Sequence, residues 1–309
     1  MRNRLFCPLG GMKPFLWLFL AVIMLASCEL APFESARNIY HIGIGISYRG
    51  TDLLVLEGPI NDAIALKKSF HSFFSAEPFD STLLLQLGDE DGAYTLDEEN
   101  LPTKELVVET IIRTLGVMKK NDLLIITYSG HAIEDGSLVL APDNSNGLLL
   151  DDNLDGALLG VDELISLFDR SEATILLILD SCYAGSFIPE SGDVSTIDSK
   201  NRFENLRDGY RQGIERNPRL FVLAATTADN TSKEPRFGSP IHGYFTKALL
   251  EALDTTSKQV TLDQIYHHIH EHQGFPTEGS NKHLYQHPIV SGGALDLVLR
   301  YSISPRSIR

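Results

Sequence analysis

Two stretches decide how this chain folds: residues 122–132, DLLIITYSGHA, and residues 174–185, TILLILDSCYAG. Each begins as a short apolar run with no polar face. Such a run reads as a strand buried on both sides, which is the signature of a parallel sheet covered by helices. Each then ends abruptly in small and reactive residues, Ser129-Gly130-His131 in one and Asp180-Ser181-Cys182 in the other. In an open α/β sheet the functional crevice lies beyond the carboxyl ends of the strands. If the two strands are neighbours, the imidazole of His131 and the thiol of Cys182 converge there. A histidine beside a cysteine is a base beside a nucleophile, the pair that carries acyl transfer through a thioester.

Outward from these strands the pattern alternates. Residues 38–47 (NIYHIGIGIS) predict a strand. Residues 59–75 predict a helix, with Pro59 near its start and Ile60, Ile64, Phe70, Phe73 and Phe74 at helical spacing. A strand follows at 81–87, an acidic loop at 89–99 and a helix at 102–118. Further helices are expected at 161–168, 243–253 and 261–272, with strands at 220–225 and 289–299. The expected fold class is α/β, a mainly parallel β-sheet flanked by helices on both faces. The breaks at 143–160 and 186–218 fall between strand signals, so they read as insertions within one domain.

The 309 residues are 43% hydrophobic and 22% charged, a balance that excludes collagen-like and wholly disordered chains. Acids outnumber bases 41 to 26, for a formal charge of −15. A field of that sign repels phosphate backbones, which excludes nucleic acid as a partner of a broad basic face.

The N-terminus reads as an address. Residues 15–27 (FLWLFLAVIMLAS) are an uninterrupted apolar run, shorter than the roughly 20 residues of a membrane span and of signal-peptide length. Arg2, Arg4 and Lys13 supply the positive flank, and Met12-Lys13 would itself make a compact start. The run closes on Leu25-Ala26-Ser27-Cys28, which resembles the lipobox of bacterial lipoproteins. That resemblance implies a signal peptide over 1–27, cleavage before Cys28, lipidation of its thiol and a tether over 28–37. The mature protein would be exported and membrane-anchored on the periplasmic or cell-surface face. Of the three cysteines, Cys7 leaves with the signal and Cys28 is acylated. Cys182 remains as the one free thiol, without an intramolecular partner.

YSGHA and DSCYAG, in this order and each behind an apolar strand, resemble the histidine and cysteine motifs of the caspase/metacaspase superfamily of cysteine peptidases. GPINDA (58–63), LAATTADNTSKE (223–234) and GYFTKALLEAL (243–253) extend the resemblance over about residues 38–300. It implies a caspase-hemoglobinase fold over 38–302, divided into a large-subunit-like part (38–185), a loop (186–218) and a small-subunit-like part (219–302). It implies Cys182 as nucleophile and His131 as general base and acid, with the backbone amides of Cys182 and Ala132 holding the oxyanion. The family usually has glycine where this chain has Ala132.

The details favour the metacaspase and bacterial branch, whose members cut after Arg or Lys using acids in the primary pocket. The matching positions are Asp62, Ser129 and Asp180. A cationic side chain taken out of water needs such carboxylates. The same preference turns the polar loop on itself: Lys200, Arg202, Arg207, Arg211, Arg216 and Arg219 lie in or beside it, and self-cleavage is expected between 200 and 219.

Other features read as structural. Some metacaspases bind activating calcium in acidic loops, but Asp151, Asp152 and Asp155 lack EF-hand spacing and read as a solvated loop. His267, His268, His270 and His272 do not form the HExxH of metalloproteases and read as an exposed helix face. GIGIS (43–47) is not a dinucleotide fingerprint, and no G-x-S-x-G is present. No cofactor is required and the metal and the oligomeric state are left open. The expected function is a lipid-anchored cysteine endopeptidase acting on proteins or peptides. Its rival is a catalytically weak caspase-like binding or scaffold domain.

Overall fold

The computed structural model describes residues 37–86, 100–142, 154–188, 219–235, 240–255, 259–271, 286, 288–291 and 297–300. These belong to the compact unit Arg37–Arg309. Its centre is a six-stranded sheet in the order β2-β1-β3-β6-β7-β9. The strands are β1 (Ile39–Ile46), β2 (Phe79–Gln86), β3 (Leu123–Ser129), β6 (Thr174–Asp180), β7 (Leu220–Ala224) and β9 (Ile289–Ser291). All neighbours are parallel except β7 and β9. Short antiparallel pairs lie outside it, β4 (Leu138–Val139) with β5 (Leu158–Leu159) and β8 (Val260–Thr261) with β10 (Val298–Arg300).

The apolar strands fill two cores because alternate residues face opposite sides of the sheet. Along β3, Leu123 and Ile125 join Leu176, Ile178, Phe221 and Leu223 on one side. Leu124 and Ile126 join Leu177, Leu179, Val222 and Ala224 on the other. The first side is covered by α1 (Gly58–Phe73), α5 (Tyr244–Leu253) and α6 (Leu262–Glu271) through Leu66, Phe70, Phe245, Leu249 and Ile265. The second is covered by α2 (Lys104–Val117) and α4 (Val161–Ser166), through Val107, Ile111 and Leu164. Pro59 occupies the first turn of α1, where its missing N–H costs nothing. Thr103 caps α2 by accepting the Leu106 N–H at 3.2 Å.

The mainly parallel α/β architecture is as expected, with differences at its margins. The single closing strand over 289–299 is instead two short strands in different sheets: β9 pairs with β7, and β10 with β8. The break at 143–160 ends in a helical turn, α3 (Leu154–Ala157), and in β5. Helix α4 stops at Ser166, two residues short of the expectation. The acidic loop, Asp151, Asp152 and most of the 186–218 loop lie outside the described residues, as do Cys7, Cys28 and the whole N-terminal segment.

Candidate active site

Strands β1, β3 and β6 run side by side, and their carboxyl ends make one sheet edge. In the β3–β6 register Ser129 is aligned with Asp180, and the Gly130 N–H continues the ladder to the Asp180 carbonyl at 3.3 Å. His131 and Cys182 therefore each stand two residues beyond the same aligned pair. Parallel pairing between two apolar strands of matched length sets both residues past one sheet edge.

His131 is held from several directions. Its main-chain N–H donates to the Tyr48 hydroxyl at 2.7 Å, and its carbonyl accepts from the Tyr128 hydroxyl at 2.6 Å. The Tyr48 ring lies against the imidazole, with centroids 4.4 Å apart. Gly130 is required here, since a Cβ on it would come within 2.6 Å of the Tyr48 oxygen and 2.8 Å of the Tyr128 oxygen. Nε2 of His131 lies 2.7 Å from the Leu54 carbonyl. A carbonyl only accepts, so Nε2 carries the hydrogen and Nδ1 is left as the basic nitrogen of the neutral ring.

Cys182 begins the turn from β6 into the 3₁₀ segment Ala184–Phe187, through Tyr183 at φ 55° in the left-handed region. Its thiol is a free, partly buried group 3.9 Å from the Ser232 carbonyl. Burial pushes the thiol above the ordinary cysteine value and pushes the His131 imidazole below the ordinary histidine value. The resting pair is therefore neutral. Ala132 follows on a short hairpin: Val139 N–H donates to His131 O at 3.0 Å and Ile133 N–H to Ser137 O at 3.1 Å. That bracketing leaves the Ala132 amide pointing away from its hairpin partner. Among the described non-glycine residues, positive φ occurs at Tyr48 and Tyr183. Ala132 thus needs none of the conformations reserved for glycine.

The three expected pocket residues come together beside this pair. Ser129 donates to Asp62 Oδ2 at 2.8 Å, and Gly243 N–H lies 3.3 Å from both Asp62 oxygens. Asp180 accepts from Ser232 Oγ at 2.5 Å and from both the N–H and the hydroxyl of Thr246, at 3.1 and 2.7 Å. Both acids thus receive the first turn of α5, where N–H groups point outward and favour negative charge. Gly243 fits between them because it has no side chain: a Cβ would sit 2.2 Å from Asp180 Oδ2. Burial raises both carboxyl groups above the usual range, and the nearby Asp62 charge raises Asp180 further, to about 7.

Several participants have no counterpart in the sequence expectations. Tyr48, the Leu54 carbonyl and Ser232 are among them. Another is His242, whose Nδ1 lies 2.9 Å from Asp62 Oδ1. Gln286, almost fully buried, donates to Ser232 Oγ at 3.0 Å and accepts from Lys233 N–H at 3.2 Å. His267 pairs with Asp263 at 3.5 Å on α6, and among the described residues no group of His, Cys, Asp and Glu is arranged to hold a metal. Among the described residues no helix is long and apolar enough to cross a membrane.

A family model described as the caspase domain matches residues 42–291, most of the chain. No curated protein sequence matches it significantly. Among solved structures, caspase-1 from Spodoptera frugiperda superimposes with a TM-score of 0.53 at 14% identity, covering 88% of this chain and 92% of that one. A protein of Geobacter sulfurreducens gives a TM-score of 0.48 at 17% identity, covering 83% of this chain and 94% of its own. The fold, the sheet order and the family match over 42–291 agree, and the chain belongs to the caspase-domain family of cysteine peptidases.

Proposed function

We propose that this protein is a lipid-anchored endopeptidase that cleaves protein substrates after Arg or Lys through Cys182 and His131. The observation that carries the reading is the Ser129–Asp180 register, which sets both residues past one sheet edge, with the acidic pair Asp62 and Asp180 beside them.

In this reading the neutral thiol gives its proton to His131 Nδ1 as the sulfur attacks the scissile carbonyl. The developing oxyanion is received by the amides of Cys182 and Ala132. Collapse breaks the C–N bond, and His131 returns the proton to the leaving amine. Water, deprotonated by the same imidazole, then hydrolyses the thioester and frees Cys182. The buried carboxylates receive the substrate's guanidinium or ammonium group.

Replacing Cys182 with Ala, or His131 with Ala, is expected to abolish cleavage of Arg and Lys peptides. The double variant should be no worse than either single one, because the two act as a unit. Near-full activity in Cys182→Ala would end this reading. Peptides with Asp at the same position should be poor substrates, and a preference for them would reverse the pocket assignment. Anchoring is tested separately: wild type should partition with detergent, and Cys28→Ser should lack lipid by mass spectrometry.

The second reading is a binding module of low activity. It is favoured by the electrostatics of the resting pair, a thiol raised and an imidazole lowered by burial, which disfavours a preformed thiolate. Iodoacetamide separates the two readings: a working dyad is alkylated at Cys182 far faster than a free thiol at the same pH, and a dormant one is not.

A further inference from the structure

His242 lies in the segment leading into α5, immediately before Gly243 at its N-cap. Its ring nitrogen Nδ1 is 2.9 Å from Asp62 Oδ1. The Asp62 side chain is 1% exposed and that of His242 15% exposed, so the ring stands between the carboxylate and solvent. The other partners of Asp62 stand on main chain held by the sheet and by the start of α5. Ser129 ends strand β3, and Gly243 is wedged against the second carboxylate. The neighbouring main chain is fixed too, since the Ile241 carbonyl accepts from Asn61 Nδ2 at 2.9 Å. Of the two nitrogen partners, the imidazole leaves by side-chain rotation alone, and the Gly243 N–H does not.

A cation arriving at Asp62 therefore meets a site already filled by a nitrogen donor of the protein itself. We infer that His242 is an internal surrogate for the substrate's basic side chain, occupying the acidic pocket until an arginine or lysine displaces it, and so sets the affinity for basic substrates. The inference rests on the proposed preference for Arg or Lys. Its chemistry is an exchange of one hydrogen-bonded nitrogen donor for another on the same carboxylate, with no covalent step. Two substitutions separate the roles of the ring. His242→Ala empties the pocket, and His242→Asn returns a neutral donor.

The test uses the full chain with benzamidine, imidazole and peptides bearing Arg before the scissile bond. In His242→Ala, benzamidine should bind several-fold tighter than in wild type, roughly the 5- to 10-fold that one displaced hydrogen-bonded group is worth. The KM for Arg peptides should fall in step. Free imidazole should inhibit His242→Ala competitively against the Arg peptide and leave wild type unaffected, and His242→Asn should lie between the two. Alkylation of Cys182 by iodoacetamide reports whether the nucleophile is intact in each variant. Unchanged or weaker benzamidine binding in a His242→Ala protein that melts cooperatively and labels normally at Cys182 overturns the inference. Should that variant fail to fold, the His242 ring protons of wild type provide the measurement. Their NMR signals should shift on saturation with benzamidine, and their failure to shift while benzamidine inhibits has the same consequence. A wild type that labels at Cys182 and cleaves other peptides, but binds no benzamidine and cuts neither Arg nor Lys peptides, instead removes the pocket reading on which the inference stands.

Discussion

The Tyr48 hydroxyl accepts the main-chain N–H of His131 at 2.7 Å while its ring lies 4.4 Å, centroid to centroid, from the imidazole. One buried side chain therefore fixes both the backbone and the plane of the expected base. Tyr48 itself sits at φ 59°, in a region that non-glycine residues occupy at a cost of about 1 kcal/mol or more. It is kept there by its N–H, which donates to Gln86 Oε1 at 2.8 Å, and by its hydroxyl, which donates to the Val139 carbonyl at 2.7 Å. Strain at this position is coupled directly to the placement of His131.

Tyr48→Phe should preserve the ring and remove the hydroxyl. The His131 N–H then loses its acceptor, at a stability cost of about 1–3 kcal/mol. A loosened imidazole should lower kcat about tenfold, since 1.4 kcal/mol of positioning corresponds to that factor. KM should stay near the wild-type value because Tyr48 does not reach the acidic pocket. Steady-state kinetics with urea unfolding checks both parts. A variant that is less stable but has the wild-type kcat would assign Tyr48 to the fold alone.

Asp180→Ala should be among the most damaging single changes outside the apolar core. It strips the acceptor from the Thr246 N–H, the Thr246 hydroxyl and the Ser232 hydroxyl. Unpaired donors in a buried place cost roughly 1–3 kcal/mol each before relaxation, so about 3 kcal/mol in total is expected. Asp180→Asn should lose less, because it keeps one acceptor oxygen and relieves repulsion with Asp62. The urea midpoints of the two variants give the comparison. Equal losses would show that charge, rather than hydrogen bonding, anchors α5 here.

The difference between what was legible in the sequence and what was not is physical. The placement of His131 and Cys182 past one sheet edge was legible because each follows an unbroken apolar run, and parallel pairing of equal strands aligns run-ends. Asp62, Ser129 and Asp180 were legible only through resemblance. Their proximity depends on α1 packing over β3, and on α5 offering its N-terminus to both acids. Tyr48 carries no local signal, since its role depends on a left-handed backbone and on a partner more than 80 residues away. The Leu54 carbonyl is a main-chain group and has no side-chain signature at all. His242 was hidden in plain view before GYFTKALL, because a histidine preceding a helix says nothing of the carboxylate it meets. The closing stretch reads as one strand in the sequence because its division depends on pairing partners, β7 for Ile289–Ser291 and β8 for Val298–Arg300, that its residues do not specify.

Binding of Arg peptides should strengthen as pH rises through about 7. Burial and the Asp62 charge raise Asp180 to about that value, so near pH 6 it is largely protonated. A substrate cation favours the ionised form, and binding below pH 7 must therefore release a proton. KM for an Arg peptide should fall between pH 6 and pH 8 and then level off. A neutral residue at the same substrate position should show no such fall. Michaelis curves at pH 6, 7 and 8 decide the matter, and a KM that rises with pH would contradict an acidic pocket.

A contribution to stability that is lost in acid should come from a histidine far from the thiol. His41 on β1 is fully buried, with Nδ1 2.9 Å from Ser81 Oγ and Nε2 3.0 Å from Thr127 Oγ1. Burial, aided by the Lys67 charge, lowers its pKa to about 3. The unfolded chain takes up this proton near pH 6.5 and the folded chain does not. Between those values the unfolded state binds more protons, so folding stability must fall as pH falls, by up to about 1.4 kcal/mol per unit from this group alone. Asp62 and Asp180 act in the opposite sense, because their raised values favour the folded state as they gain protons. His41→Gln keeps a donor and an acceptor between Ser81 and Thr127 and removes the titration. Urea unfolding at pH 7, 6 and 5 should show wild type changing little, because Asp180 offsets the loss from His41, and His41→Gln gaining stability relative to wild type as pH falls. Parallel pH profiles in the two proteins would show that His41 contributes no acid-labile stability.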